Sequence, residues 1–153
     1  MSKTNLVLFF LLLSFIFQVM WVIRNYSPTS DEPGHLLAGY NYLIRGYLRF
    51  NVGAPLLLNV FSVLPLLFLN LPDPALSSFW QSGYIHGVAR DFFWALAGRV
   101  DTVLFWGRLP ILLLALILMA TVYCFSKNLY GRKAAVMALG LFAFEPNFIT
   151  HSD

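Results

Sequence analysis

The chain has 153 residues and a formal net charge of +3, and 59% of its residues are apolar while only 11% are charged. A soluble domain is typically about 45–50% apolar and about 25% charged, so this chain has too few polar side chains to cover a soluble surface. An aromatic content of 17% excludes disorder, the single cysteine excludes a disulfide framework, and the scattered basic residues exclude a nucleic-acid partner. The composition predicts an integral membrane protein.

The first apolar segment covers about residues 6–23 and is flanked by Lys3 and Arg24. As an α-helix rising about 1.5 Å per residue it would measure roughly 27 Å, which is close to the bilayer core of about 30 Å. No small-residue cleavage motif follows it. The segment is therefore predicted to be an uncleaved spanning helix rather than a signal peptide.

Three further apolar segments follow at about residues 55–71, 109–125 and 134–149. The connection at 127–133 contains three basic residues and no acid, so the positive-inside rule predicts that it is cytoplasmic, and Lys3 favours a cytoplasmic N-terminus. An even number of spans must separate two cytoplasmic segments. The segment at 55–71, which contains internal Pro and Asn residues, is therefore predicted to lie in the outer interface instead of spanning.

The predicted fold is an all-α integral membrane protein with three transmembrane helices, at about 6–23, 109–125 and 134–149. A long external loop at 24–107 separates the first two helices. This loop is predicted to carry an amphipathic helix and an interfacial helix.

The amphipathic helix is predicted to start near Asp31, because Ser30 or Asp31 suits an N-cap and Pro33 is tolerated in a first turn. Beyond this point the apolar residues recur at helical spacing, which predicts a helix lying on the membrane surface. The predicted apolar stripe contains Leu36, Leu37, Tyr40, Leu43, Ile44 and Tyr47. The opposite stripe contains Asp31, His35, Ala38, Tyr42, Arg45 and Arg49.

The adjacent acids Asp31 and Glu32, with His35 one turn further on, allow three interpretations. They could form a catalytic carboxylate pair in which one acid is a general base. They could instead stabilise the helix N-terminus through the helix dipole. A metal site is the third interpretation, although a fourth ligand at useful spacing is absent from the sequence.

The basic residues of the loop allow two interpretations. Arg45 and Arg49, with Arg24 and Arg108, could bind a lipid phosphate, or they could simply extend to the headgroups from a membrane boundary. The tryptophans Trp80, Trp94 and Trp106 are predicted to belong to an aromatic belt at the membrane interface.

The order of motifs resembles the first external loop of bacterial family 39 glycosyltransferases, which are GT-C membrane enzymes related to protein O-mannosyltransferases and to the aminoarabinose transferase of lipid A. The resemblance covers nearly the whole chain. The segments that carry it are Asp31-Glu32-Pro33-Gly34-His35, Gly39-Tyr40-Asn41-Tyr42-Leu43, Gly107-Arg108-Leu109-Pro110 and Tyr130-Gly131-Arg132.

The resemblance implies an enzyme of the bacterial inner membrane that transfers a sugar from a polyprenyl-phosphate carrier to an acceptor at the outer face. It implies that Asp31 and Glu32 are catalytic, with Asp31 as the base. We assign no cofactor beyond the lipid-phosphate sugar donor, which is a substrate; a divalent metal stays open, without support in the sequence. We assign substrate binding to His35, Tyr42, Arg45 and Arg49. Family members have several hundred residues, so the chain is expected to be an N-terminal portion that is inactive alone. The alternative is a small non-enzymatic membrane protein that scaffolds other membrane chains.

Overall fold

The computed structural model describes residues 3–50 and 55–146. The described part of the chain is all-helical and contains no strands. The α-helices are α1 (Lys3–Asn25), α2 (Glu32–Arg45), α3 (Leu56–Val63), α4 (Ile85–Ala95) and α5 (Val100–Ala143). Two short 3₁₀ helices cover Leu64–Phe68 and Pro74–Leu76. The chain divides into two compact units, one formed by residues 1–25 with 111–153 and the other by residues 26–110.

Helices α1 and α5 are each long and apolar enough to cross a bilayer. Only 22% of the most apolar window of either helix is buried inside the protein, so most of this apolar surface needs a non-aqueous environment. The segment predicted at 6–23 lies entirely within α1, which confirms it as one continuous helix. By length and composition, both helices could therefore cross a membrane.

The segment predicted at 109–125 lies within α5 and the segment predicted at 134–149 begins within it, on the other side of an interruption at Gly131. Gly131 has φ 82° and ψ 176°, a conformation that glycine adopts easily and other residues rarely adopt, so the helix direction is broken at this point. The predicted segment at 134–149 is helical as far as Ala143, and its last three residues lie outside the described part of the chain.

The first unit is held together by contacts between α1 and the part of α5 that follows Gly131. The Arg132 guanidinium donates to the Asn5 side chain, and the Phe15 and Phe142 rings lie 5.5 Å apart. The Gln18 amide donates to the Ala143 carbonyl oxygen over 3.2 Å. Because the contacts advance along both segments together, α1 and residues 132–143 run in the same direction.

The second unit is built around α2. Gly39 of α2 lies so close to α3 that a Cβ at this position would come within 2.2 Å of the Asn59 carbonyl oxygen. On another side of α2 the Tyr40 and Phe92 rings are 5.8 Å apart, so α4 also packs on this helix. The core residues of the unit are Leu36, Leu37, Ala38, Tyr40, Phe50, Val63, Leu66, Val88, Ala89, Phe92, Leu96, Val103 and Leu104.

This packing corrects the predicted orientation of α2. Ala38, which was assigned to the polar stripe, is only 4% exposed, whereas Ile44 of the apolar stripe is 41% exposed. The helix also ends earlier than the stripes implied, because Gly46 adopts φ 72° and its N–H donates to the Tyr42 carbonyl oxygen over 2.8 Å. The middle of α2 is therefore a core helix, and its placement at the membrane surface stays a prediction.

The segment predicted to lie in the outer interface, at about 55–71, forms α3 and the 3₁₀ helix Leu64–Phe68. Together they make a shorter apolar helix, below the length needed to span. Its contact with α2 at Gly39 joins it to the second unit. Its position relative to the membrane stays a prediction.

Candidate active site

The N-terminal end of α2 carries Asp31 and His35. Asp31 occupies the N-cap position, and its side chain is 70% exposed and makes no capping hydrogen bond. Its carbonyl oxygen accepts the His35 N–H over 3.1 Å, and its Oδ2 atom lies 3.5 Å from His35 Nε2. Asp31 is therefore the N-cap residue by position, without a capping hydrogen bond from its side chain, and the helix-dipole interpretation of the two acids stays a prediction.

The Asp31 carboxylate is surrounded by groups that favour its ionised form. A hydrogen bond from its own backbone N–H, followed by one from the Thr29 side chain and by the nearby His35, holds the pKa of Asp31 below the ordinary value for an aspartate. The carboxylate is therefore charged at neutral pH. Its exposure leaves room for a second molecule to approach.

Glu32, the neighbour of Asp31, has a different environment. Arg108 Nε donates to Glu32 Oε1 over 2.7 Å, and Arg108 Nη2 donates to Glu32 Oε2 over 2.8 Å. The Arg108 side chain is 2% exposed and the Glu32 side chain 16% exposed, so this is a largely buried bidentate ion pair. Arg108 Nη1 also donates to the Tyr26 carbonyl oxygen over 3.1 Å. We call Glu32, Arg108 and Tyr26 the arginine clasp.

The arginine clasp joins three places that are distant in sequence. It links the loop that precedes α2, the first residue of α2, and the first part of α5. Arginine suits this role because its planar guanidinium matches a carboxylate at two points and keeps further donors for a carbonyl. The clasp therefore fixes the start of α2, and with it the backbone that carries Asp31.

The interpretation of Asp31, Glu32 and His35 as a metal site is not supported by this geometry. Both carboxylate oxygens of Glu32 already accept hydrogen bonds from Arg108. No group of three or more potential metal-ligating side chains is found within residues 3–50 and 55–146.

Arg45 and Arg49 lie at the other end of α2 and converge on Trp80. Arg45 Nη2 contacts both carboxylate oxygens of Asp73, at 2.5 and 2.7 Å. Arg49 Nη2 donates to the Trp80 carbonyl oxygen over 2.6 Å, and its guanidinium lies 4.3 Å from the centre of the indole ring. The Arg45 guanidinium lies 5.1 Å from the same ring. We call Arg45, Arg49, Trp80 and Asp73 the indole cluster.

The charges in the indole cluster do not cancel. Asp73 raises the pKa of Arg45, while the Ala75 N–H and then Arg45 lower the pKa of Asp73, so this pair is fully ionised at neutral pH. Among the described residues, no carboxylate lies within 4.0 Å of the Arg49 guanidinium. The cluster therefore carries one net positive charge, and this charge favours the binding of an anion.

Five of the six predicted site residues separate into two groups, and Tyr42 belongs to neither. Helix α2 has 14 residues, so its ends lie about 20 Å apart at about 1.5 Å per residue. Asp31, Glu32 and His35 are together at one end, while Arg45 and Arg49 are together at the other. Tyr42 is half-buried and lies two turns after His35 on the same side of α2. The structure does not bring the two groups to one point.

Sequence reasoning missed three partners in these groups, Arg108, Trp80 and Asp73. It grouped Arg108 with the possible lipid-binding arginines, and it placed Trp80 in an aromatic belt, whereas each binds an element of the second unit. Arg108 and Glu32 are separated by 76 positions, so no local pattern pairs them. Asp73 precedes a proline, which indicates a turn, but nothing in its neighbourhood points to Arg45.

Comparison of the chain with protein-family models, with curated proteins and with solved structures finds no match.

Proposed function

We propose that this chain is part of a bacterial inner-membrane glycosyltransferase of the family 39 type. The enzyme transfers a sugar from a polyprenyl-phosphate carrier to an acceptor at the outer face of the membrane. One observation carries the proposal: two adjacent carboxylates have opposite environments. Asp31 is exposed and ionised, while Glu32 is engaged by a buried arginine. This division suits one residue that reacts and one that holds it in place.

In the proposed reaction an acceptor hydroxyl or amine attacks C1 of the sugar. A bond forms between the acceptor atom and C1, and the bond between C1 and the carrier phosphate oxygen breaks with its electron pair leaving on the phosphate. Asp31 takes the proton that the acceptor loses. Because the carboxylate is already ionised at neutral pH, it needs no prior deprotonation.

The neighbours of Asp31 are proposed to position it and the substrate. Glu32, through the arginine clasp, fixes the backbone at the start of α2. His35 lies 3.5 Å from the Asp31 carboxylate and can orient it, while Tyr42 continues the same side of the helix toward a bound substrate. A departing phosphate near Asp31 requires a cation, because negative charge builds on it in the transition state.

The indole cluster is proposed to bind a lipid phosphate at the membrane surface. At about 20 Å from Asp31, Arg45 and Arg49 are too far away to contact the phosphate that departs beside that residue. Arg49 has no carboxylate within 4.0 Å in the described part of the chain and is held in position by Trp80. These features favour an anionic headgroup on this side of the loop.

We propose a topology of three spans with a cytoplasmic N-terminus and with residues 26–110 outside. Two observations support it. The connection near Gly131 carries Lys127, Arg132 and Lys133, and residues 132–143 run in the same direction as α1. Two segments that cross in the same direction need a third crossing between them, which the part of α5 before Gly131 can provide.

The test compares a lipid-linked sugar donor with a nucleotide-linked one. Membrane vesicles that contain the full gene product, with any residues that follow position 153, are supplied with a radiolabelled polyprenyl-phosphate sugar and a mixture of outer-face acceptors. The same sugar as a nucleotide derivative serves as the control. We expect label to appear in the acceptor fraction when the lipid-linked donor is supplied, and not when the nucleotide sugar is supplied. Label from the nucleotide sugar, or from neither donor in vesicles holding intact protein, would favour a different enzyme or the non-enzymatic alternative.

A further inference from the structure

A groove of about 480 Å³ lies between the end of α4 and the start of α5. It is separate from both the arginine clasp and the indole cluster. Its lining residues are Arg90, Phe93, Trp94, Ala97, Gly98 and Val100. Arg90, Phe93 and Trp94 are spaced three and four residues apart, so they share one side of α4. The groove therefore combines an apolar floor with one cation.

The turn between the two helices gives the groove its form. Two consecutive residues, Ala97 with φ 49° and Gly98 with φ 87°, adopt the left-handed region. The conformation is unfavourable for alanine, because its Cβ crowds the following carbonyl oxygen. This tight reversal brings Val100 of α5 and Trp94 of α4 to the same groove. A strained turn that is kept in the fold is a reason to look for a function at that place.

Trp94 gives the first indication of the occupant. Its side chain is 80% exposed, so the protein leaves one of its largest apolar surfaces uncovered. Tryptophan is enriched where a membrane protein meets the lipid headgroups. Val100 lies one turn before Val103, where α5 becomes apolar apart from the buried Arg108. The groove therefore includes the first turn of α5, a helix that is long and apolar enough to cross a bilayer.

Arg90 gives the second indication. Its side chain is 61% exposed, and its guanidinium rests on the Phe79 ring with 5.0 Å to the ring centre. Its one hydrogen bond among the described residues is a 3.4 Å contact with Asp91, whose other carboxylate oxygen accepts a shorter 2.7 Å bond from Ser77. Arginine has five N–H donors, so most of them are available for an oxyanion, and paired donors match a phosphate well.

We propose that this groove binds an anionic phospholipid of the surrounding membrane. The phosphate pairs with Arg90, and an acyl chain lies along Phe93, Trp94 and Val100. A single apolar groove with a cation at one side matches the shape of one lipid better than the surface of a folded partner. The proposal needs only that the chain is in a membrane, and it is independent of glycosyl transfer.

The experiment measures quenching of Trp94 by brominated lipid. The full chain is reconstituted into nanodiscs of phosphatidylcholine that contain either brominated phosphatidylglycerol or brominated phosphatidylcholine at the same low mole fraction. The Trp94 contribution is the difference in quenching between the parent chain and Trp94→Phe. The difference in quenching between the parent chain and Trp106→Phe gives the contribution of Trp106, which is partly exposed but does not line the groove.

We expect brominated phosphatidylglycerol to be enriched at Trp94 over brominated phosphatidylcholine by about fivefold, which corresponds to about 1 kcal/mol for one basic residue. Trp106 should show little preference between the two lipids. Arg90→Gln should remove the preference at Trp94, and Arg90→Lys should keep most of it. Lys127→Gln, which makes the same change in charge outside the groove, should leave it unchanged.

Three results would overturn the proposal. Equal quenching of Trp94 by the two lipids would remove the headgroup preference. If the lipid preference persists in Arg90→Gln, it arises from the overall charge of the chain and not from Arg90. Quenching of Trp106 without quenching of Trp94 would show that lipid does not enter the groove. Far-ultraviolet circular dichroism of each variant confirms that the helices are intact, and Arg90→Lys gives a second reading if Arg90→Gln is misfolded.

Discussion

The buried pair of Glu32 and Arg108 allows a quantitative prediction about stability. Its two charged hydrogen bonds measure 2.7 and 2.8 Å, and the arginine is 2% exposed. Removing one partner of such a pair leaves an uncompensated charge away from water, which costs about 3–5 kcal/mol. We therefore expect Glu32→Gln and Arg108→Met each to destabilise the second unit by about this amount.

The double variant distinguishes the interaction energy between Glu32 and Arg108 from the contacts that each residue makes with its surroundings. With both charges removed, no buried charge is left without a partner, so the two losses should not add, and a coupling energy of about 2–3 kcal/mol is expected. The assay is equilibrium unfolding of the chain in detergent micelles, followed by tryptophan fluorescence. The exposed pair Arg90 and Asp91, whose single contact is 3.4 Å, is the matched control and should show no measurable coupling. If the losses in unfolding free energy for Glu32→Gln and Arg108→Met add in the double variant, the two side chains do not stabilise the fold as a pair, and the role of the arginine clasp is refuted.

Three further predictions concern topology, helix packing and pH. A cysteine at the exposed Ser78, in a chain lacking Cys124, should react with a membrane-impermeant maleimide from outside, while one at Tyr130 should not; labelling at Tyr130 would contradict the cytoplasmic connection. Gly39→Ala should destabilise the second unit by about 1–3 kcal/mol in the unfolding assay, because its Cβ would meet the Asn59 carbonyl, whereas Gly140→Ala, which meets nothing within 4 Å, should not. The pKa of Asp73 is lowered in the folded state, so its stabilising contribution is present above about pH 4 and is lost as pH falls through the folded value. Asp73→Asn should reduce the drop in stability between about pH 5 and about pH 3, and an unchanged drop would contradict the role of this pair.

The sequence predicted the helical segments well where the signal was long or local. The apolar run at 6–23 is continuous and flanked by charges, and α1 covers it. Pro33 does lie in the first turn of α2 as predicted. The end of α2 was misjudged because the polar and apolar spacing continues to Arg49, whereas the left-handed Gly46 stops the helix.

The burial of α2 could not be predicted from its own residues. Periodicity shows which residues share a side of a helix, but it does not show which sides neighbouring helices will cover. Ala38 is small enough to sit on a polar or a buried side, and only packing against the rest of the second unit decides this. Gly39 was read as part of a motif, and its physical reason, the close approach of Asn59, appears only in three dimensions.

Sequence reasoning named the candidate site residues but did not predict that they lie in separate places, and their roles stay predictions. Asp31 and Glu32 look alike in the sequence, yet Arg108 engages one of them and leaves the other exposed. A contact across 76 positions depends on the fold of the whole second unit. The same holds for the partners of Arg45 and Arg49, which were assigned to substrate binding and lie at the opposite end of the helix from the acids.

The central claim is that Asp31 acts as the base in sugar transfer, and the most direct measurement is the transfer rate of Asp31→Asn in the full gene product. An amide of the same shape cannot accept the acceptor's proton, so we expect a loss of about 10²–10⁴-fold with normal expression and helix content. Asp101→Asn, a change of the same kind at an exposed carboxylate in the first turn of α5, should keep the parent rate. A parent-like rate for Asp31→Asn, in protein that is folded and inserted, would contradict the account.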